Sequence, residues 1–112
     1  MPNTNEKPNV ISYVSYGKTY RLELFRSTYQ TNNNLAIVAM DADTHEIFNA
    51  VTVNTDQSFP ANLACVDINN MPSIENALLE SGIAEKTPMS LNPGGFVTYP
   101  VYRFNLALIP EM

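Results

Sequence analysis

One stretch constrains the fold more than any other. Tyr20-Arg21-Leu22-Glu23-Leu24-Phe25 alternates apolar and charged residues at period two, the pattern of a β-strand with one buried and one solvated face. Tyr20, Leu22 and Leu24 are expected inward, with Arg21 and Glu23 outward. Ahead of it, Val10-Ile11-Ser12-Tyr13-Val14-Ser15-Tyr16 is β-branched and aromatic, and Tyr16-Gly17-Lys18-Thr19 supplies a turn, so the two stretches predict a hairpin. After a polar loop, Gln30 to Asn34, the apolar run Leu35-Ala36-Ile37-Val38-Ala39-Met40 predicts a central strand covered on both faces. The turn Asp41-Ala42-Asp43-Thr44 leads into Glu46 to Val53, which completes a second hairpin.

The period then changes. A loop from Asn54 to Pro60 and a short extended segment, Leu63 to Val66, precede Met71, Ile74, Ala77 and Leu78, which recur at three- and four-residue spacing. They predict one helix of about eleven residues, with Asn70 or Ser73 as its cap and Gly82 as its stop. Pro88, Pro93, Gly94 and Gly95 mark a long turn-rich connection, and Phe96 to Leu106 reads as a last strand. Pro100 cannot donate a ladder hydrogen bond, so that strand is an edge or carries a bulge there. The expected architecture is α+β, an antiparallel meander of about five to six strands with one helix packed on a face. Residues 1–9, with two prolines among polar residues, are expected as a flexible leader, and 10–112 as a single domain.

Charge excludes more than it suggests. Six basic and eleven acidic side chains leave a net charge of −5, the wrong sign for tracking phosphate backbones, so direct nucleic-acid binding is not expected. Only 15% of residues are charged, with fourteen Asn and nine Thr taking up polar positions. No apolar run approaches the roughly 18 residues of a membrane span, and no signal-peptide centre is present at the start. The single cysteine, Cys65, lies in the apolar stretch Leu63-Ala64-Cys65-Val66 and reads as a small buried thiol; together these features point to the cytoplasm.

Several motifs suggest chemistry and lose it in context. Ile37-Val38-Ala39-Met40-Asp41-Ala42-Asp43-Thr44 resembles the D-x-D-x-T nucleophile motif of the haloacid-dehalogenase phosphatases, in which paired carboxylates work with Mg²⁺. That chemistry sits on a parallel sheet with crossover helices, whereas short-loop hairpins flank this segment, and Asp-rich turns form for backbone reasons alone. Asp41, Asp43, His45 and Glu46 also lack the glycine of a calcium loop and any second His or Cys with zinc spacing, so no metal or cofactor is expected. Gly17-Lys18-Thr19 has no earlier glycine at phosphate-loop spacing and no helix behind it. His45 is the only histidine, which leaves no nucleophilic constellation with Cys65. What remains is Phe96, Tyr99, Tyr102 and Arg103, a Tyr/Arg-rich strand suited to docking on a protein partner. In the alternative, the rings fill the core and Arg103 pairs with an acid.

The block Gly95-Phe96-Val97-Thr98-Tyr99-Pro100-Val101-Tyr102-Arg103-Phe104-Asn105 resembles the domain of unknown function 4313 family, small proteins of Gram-positive plasmids and conjugative elements. Gly17-Lys18, Asn34-Leu35-Ala36-Ile37, Asp67-Ile68-Asn69-Asn70-Met71-Pro72 and Ser81-Gly82-Ile83-Ala84 fit in order, so the likeness runs from Val10 to Ile109. The resemblance implies a mobile-element setting and brings no catalytic residues. The leading expectation is thus a non-enzymatic interaction module that docks through an aromatic edge strand. A second is an anti-defence inhibitor of a host nuclease, of the anti-restriction or anti-CRISPR kind, with Asp41, Asp43 and Glu46 imitating phosphate. A metal-dependent phosphatase using Asp41 and Asp43 is the third, and a homodimer stays open.

Overall fold

The computed structural model describes residues 7–112. Tyr16 and Gly17 both have positive φ, 49° and 76°, the requirement of a two-residue turn that matches strand twist. They join β1 (Val10–Ser15) to β2 (Lys18–Thr28), with Ser15 opposite Lys18. β3 (Leu35–Asp41) pairs with β2, and β4 (Ile47–Ala50) with β3, giving a sheet of order β1-β2-β3-β4. β5 (Thr52–Val53), β6 (Leu63–Val66), β7 (Ala84–Leu91) and β8 (Tyr99–Phe104) form a second sheet of order β5-β6-β8-β7. All pairings between these strands are antiparallel. Helix α1 (Ile74–Ser81) lies against β1 in one sheet and β7 in the other.

The α+β class and the helix stand; the strands of the described residues number eight in two sheets. Two local events account for the difference from a single meander. Glu46 to Val53, expected as one strand, breaks at Val51, whose amide donates to Ile37 O while its carbonyl accepts from Asp67 N, both at 2.8 Å. Val51 is fully buried, so the chain turns from one sheet to the other at a core residue. Ala84 to Leu91, expected within the long connection, is strand β7. It accommodates Pro88 because it is an outer strand and its register with β8 shifts between Lys86 and Ser90.

The last strand is also corrected. It begins at Tyr99 rather than Phe96, and it lies inside the sheet, between β6 and β7, rather than at an edge. Pro100 faces Ser90 just beyond the last β6 pair, Cys65 with Val101, so its missing donor falls where the ladder on that side has ended. The bulge is carried by the partner strand.

Glu23, expected outward, is buried, and Lys7 pairs with its carboxylate at 3.0 Å. Asn9, placed in the leader by sequence, is buried as well. Its carbonyl accepts from Leu24 N at 2.9 Å and its side-chain amide donates to Leu24 O at 2.8 Å. Residues 1–6 lie outside the described residues. Helix α1 has eight residues instead of eleven, since Met71 and Pro72 belong to a turn held by Asp67. The Asp67 carboxylate accepts from the Asn70 backbone and side-chain amides, at 3.0 and 2.8 Å, and its carbonyl accepts from Met71 N. Ser73 occupies the cap position at φ 70° without a side-chain bond, and Gly82, at φ 73°, ends the helix as expected.

One apolar cluster joins the layers. Ile11, Leu22, Leu24 and Ile37 of the first sheet meet Val66, Tyr102 and Phe104 of the second and Ile74 and Leu78 of the helix. Each such side chain contributes roughly 1.5–3 kcal/mol through burial. Ile109, past a short 3₁₀ helix (Leu106–Leu108), closes the cluster and is held from outside by Arg26, whose Nε donates to Ile109 O at 2.8 Å.

Candidate binding surface

The final rung of the β7–β8 hairpin pairs Leu91 with Tyr99, and the chain between them forms a loop. Its base is closed by the Asn92 side-chain amide, which donates to Thr98 Oγ1 at 3.0 Å. Gly95 sits at φ 81°, and the next residue, Phe96, is 96% exposed. An aromatic ring of roughly 150–250 Å² held in water on a braced loop gains free energy only when something covers it. Tyr99 is half-buried at the foot of the loop, and Met89, near the end of β7, is exposed.

Of the four residues expected to form one docking strand, Phe96 lies on the loop and Tyr99 at its foot, and the other two point elsewhere. Tyr102 is fully buried in the central cluster; its hydroxyl donates to Glu75 Oε2 at 2.5 Å, and Lys86 Nζ reaches the same oxygen at 3.2 Å. Burial first, and then the Glu75 carboxylate, push the Tyr102 phenol well above its ordinary pKa. It fastens the helix to the sheet and is unavailable for docking. Arg103 points to the opposite face of β8 by strand alternation and pairs at 2.8 Å with Glu85, its cross-strand neighbour. Both partners are half exposed, so the pair adds little stability. For Tyr102 and Arg103 the alternative of core filling and ion pairing is the one observed.

The acidic loop is occupied by its own turn. Asp41 Oδ1 accepts from Asp43 N at 2.8 Å and Thr44 N at 3.1 Å. These two bonds hold the Asp41 carboxyl below its ordinary pKa. Asp43 is paired with Arg21 at 2.7 Å, and Glu46 is exposed. The Asp41-Ala42-Asp43-Thr44 segment therefore ends an antiparallel strand and shapes a tight loop, with His45 at φ 63°. Among the described residues, no group of three or more His, Cys, Asp or Glu side chains is placed to hold a metal ion. Lys18 of the Gly-Lys-Thr triplet lies 4.8 Å over the Tyr20 ring. Cys65 is 1% exposed, and burial raises its pKa.

Sequence reasoning missed Asn34, which it placed in a polar loop. Asn34 is buried, donates to Asn54 Oδ1 at 3.2 Å and Gln57 O at 2.8 Å, and accepts from Phe59 N at 3.1 Å. It ties the β2–β3 loop to the connection after β5. The abundance of asparagine was the available signal, but single polar residues carry no periodicity.

A family model described as "Domain of unknown function (DUF4313)" matches residues 22–112. The matched span starts within β2, so β1 and the Tyr16-Gly17 turn lie ahead of it. No curated protein and no solved structure matches the chain.

Proposed function

We propose that this chain, which belongs to the DUF4313 family, is a non-enzymatic protein-binding module that engages its partner through the β7–β8 loop, with Phe96 as the anchor. The observation that carries this reading is an almost fully exposed phenylalanine on a loop braced at its base by Asn92 and Thr98. A braced loop loses less conformational freedom on binding than a free one, and an aromatic anchor supplies much of the affinity of a small interface. Tyr99 flanks the anchor. Asp41 and Asp43 are engaged by backbone amides and Arg21, which favours the hairpin over the acidic loop as the contact surface. The proposal places the module in the cytoplasm of a host that carries it on a mobile element. The buried free thiol supports a reducing compartment.

A photoreactive phenylalanine analogue at position 96, compared with one at Thr28 in β2, tests the reading in host cells. Position 96 should yield one dominant protein adduct, and the purified partner should bind the Phe96→Ala variant about tenfold or more weakly, with folding unchanged. Equal adduct patterns from both positions, or unchanged affinity in Phe96→Ala, overturn it.

A further inference from the structure

β3 leaves an expectation unmet. Its run Leu35 to Met40 reads as a strand covered on both faces, yet the second sheet and helix α1 both lie on one of them, with Leu35, Ile37 and Ala39 in the central cluster. By alternation Ala36, Val38 and Met40 face the other way. Phe25 of β2 stands beside Val38, and β4, although bulged at Phe48, sets Ile47 beside Met40. None of Phe25, Val38, Met40 and Ile47 packs against the central cluster; the first three are half-buried and Ile47 is 69% exposed. The solvated face of an antiparallel sheet ordinarily carries polar side chains, so adjacent apolar ones across three strands mark a contact surface.

Glu23 stands in the middle of this face. Across the ladder it lies between Val10 of β1 and Met40 of β3, and Phe25 is its next neighbour on the same side of β2. Its side chain is 9% exposed, whereas that of Lys7, which donates to Glu23 Oε2 at 3.0 Å, is 71% exposed. The acid is thus sunk among apolar neighbours while its counter-charge stands out in water. A purely apolar partner laid over the face would strip that water without replacing it, and a second copy would bring two such carboxylates together. A partner whose apolar surface carries a cation supplies what the face lacks, and the net charge of −5 favours a basic partner at longer range.

We infer that this outer face of the first sheet binds a basic amphipathic helix of a partner protein, with an arginine or lysine of the helix's apolar stripe pairing with Glu23. From β1 to β4 the face spans about 14 Å, at about 4.8 Å per strand, and a helix with its side chains is about 10–12 Å across, so one helix covers Phe25, Val38 and Met40 together. Such a helix completes the layer that the apolar run of β3 requires. The site belongs to the first sheet and is independent of the Phe96 loop, which extends from the second.

The probe is a labelled synthetic peptide of about five helical turns, with leucines and one arginine on one face and lysines on the other. Its fluorescence anisotropy should rise on addition of the full chain, and a scrambled peptide of the same composition should bind about tenfold more weakly or less. Glu23→Gln and Ile47→Ser should each weaken binding about three- to tenfold with circular dichroism spectra unchanged, Ile47 being exposed enough for its replacement to leave the fold intact. Phe96→Ala should bind as the wild type does, and the peptide should shift amide NMR resonances of β2, β3 and β4. Equal binding of the scrambled peptide, a loss in Phe96→Ala with none in Glu23→Gln and Ile47→Ser, or shifts confined to other surfaces would overturn the proposal. So would sedimentation of the chain with neutral phosphatidylcholine vesicles in place of peptide binding, which would assign the face to a membrane.

Discussion

Asp41 ends β3 with a carboxylate oxygen that accepts two backbone amides of the following turn, from Asp43 and Thr44. Those bonds favour its charged form, so its pKa in the folded protein lies below the unfolded value. By linkage, the stability it contributes is fully present above the unfolded pKa, near about 4, and is lost as the pH falls through the folded value. Asn at this position keeps a similar shape and an acceptor but does not titrate. Urea midpoints measured from neutral pH into the acid range should therefore fall less steeply below about pH 4 for Asp41→Asn than for the wild type. Identical acid limbs would show that the turn draws nothing from the charge. The same residue explains why an apparent nucleophile motif was readable as a turn: the Asp-x-Asp-Thr spacing places the amides of Asp43 and Thr44 within reach of the Asp41 carboxylate, and the segment ends a strand paired antiparallel with β4.

At the scale of elements, the helix and the turn that leads into it are attached to the two sheets by tyrosine hydroxyls. Tyr13 of β1 donates to Pro72 O at 2.7 Å, and Tyr102 of β8 donates to Glu75, which Lys86 of β7 also contacts. Glu75 keeps Lys86 when the phenol is removed, so Tyr102→Phe should cost about 1 kcal/mol, whereas Tyr102→Ala also opens a cavity and should cost roughly 3–5 kcal/mol. Phe96→Ala, by contrast, should stay within about 0.5 kcal/mol of the wild type. Denaturant unfolding of the three variants checks the order; a Tyr102→Ala variant as stable as Phe96→Ala would place that ring outside the core. The first hairpin and β3 were legible because a strand's alternation and a Tyr-Gly turn are local signals. The break at Val51 was not, because nothing in Ala50-Val51-Thr52 distinguishes a strand that continues from one that changes sheets; the choice is made by Ile37 O and Asp67 N, fourteen and sixteen residues away. Pro88 misled in the same manner. It marks a breaker locally, and only an outer position with a shifted register lets β7 pass through it. The aromatic cluster of the last strand was legible as a cluster, but which neighbours of Pro100 turn inward depended on β8 being covered on both sides.

For the whole molecule, the question is whether two sheets make one cooperative unit. A single apolar cluster runs from Ile11 and Leu22 through Ile74 to Val66 and Phe104, so neither sheet has a core of its own to keep it folded when the other opens. Chains of this size with one core usually unfold in one step. Cys65, buried in the second sheet opposite Val101, provides an internal probe, because its thiol reacts only when that sheet is open. Leu22 lies in the first sheet and is fully buried, and truncating it should cost about 2–5 kcal/mol. If the sheets open together, Leu22→Ala must accelerate labelling of Cys65 by the factor that its loss of global stability dictates, about tenfold per 1.4 kcal/mol, although no bond of the second sheet has been altered. Labelling rates at fixed pH without denaturant, set beside unfolding free energies for the same pair of proteins, make the comparison. A labelling rate that does not respond to Leu22→Ala would mean that the second sheet opens alone and that Val51 is a hinge between two units rather than a corner within one.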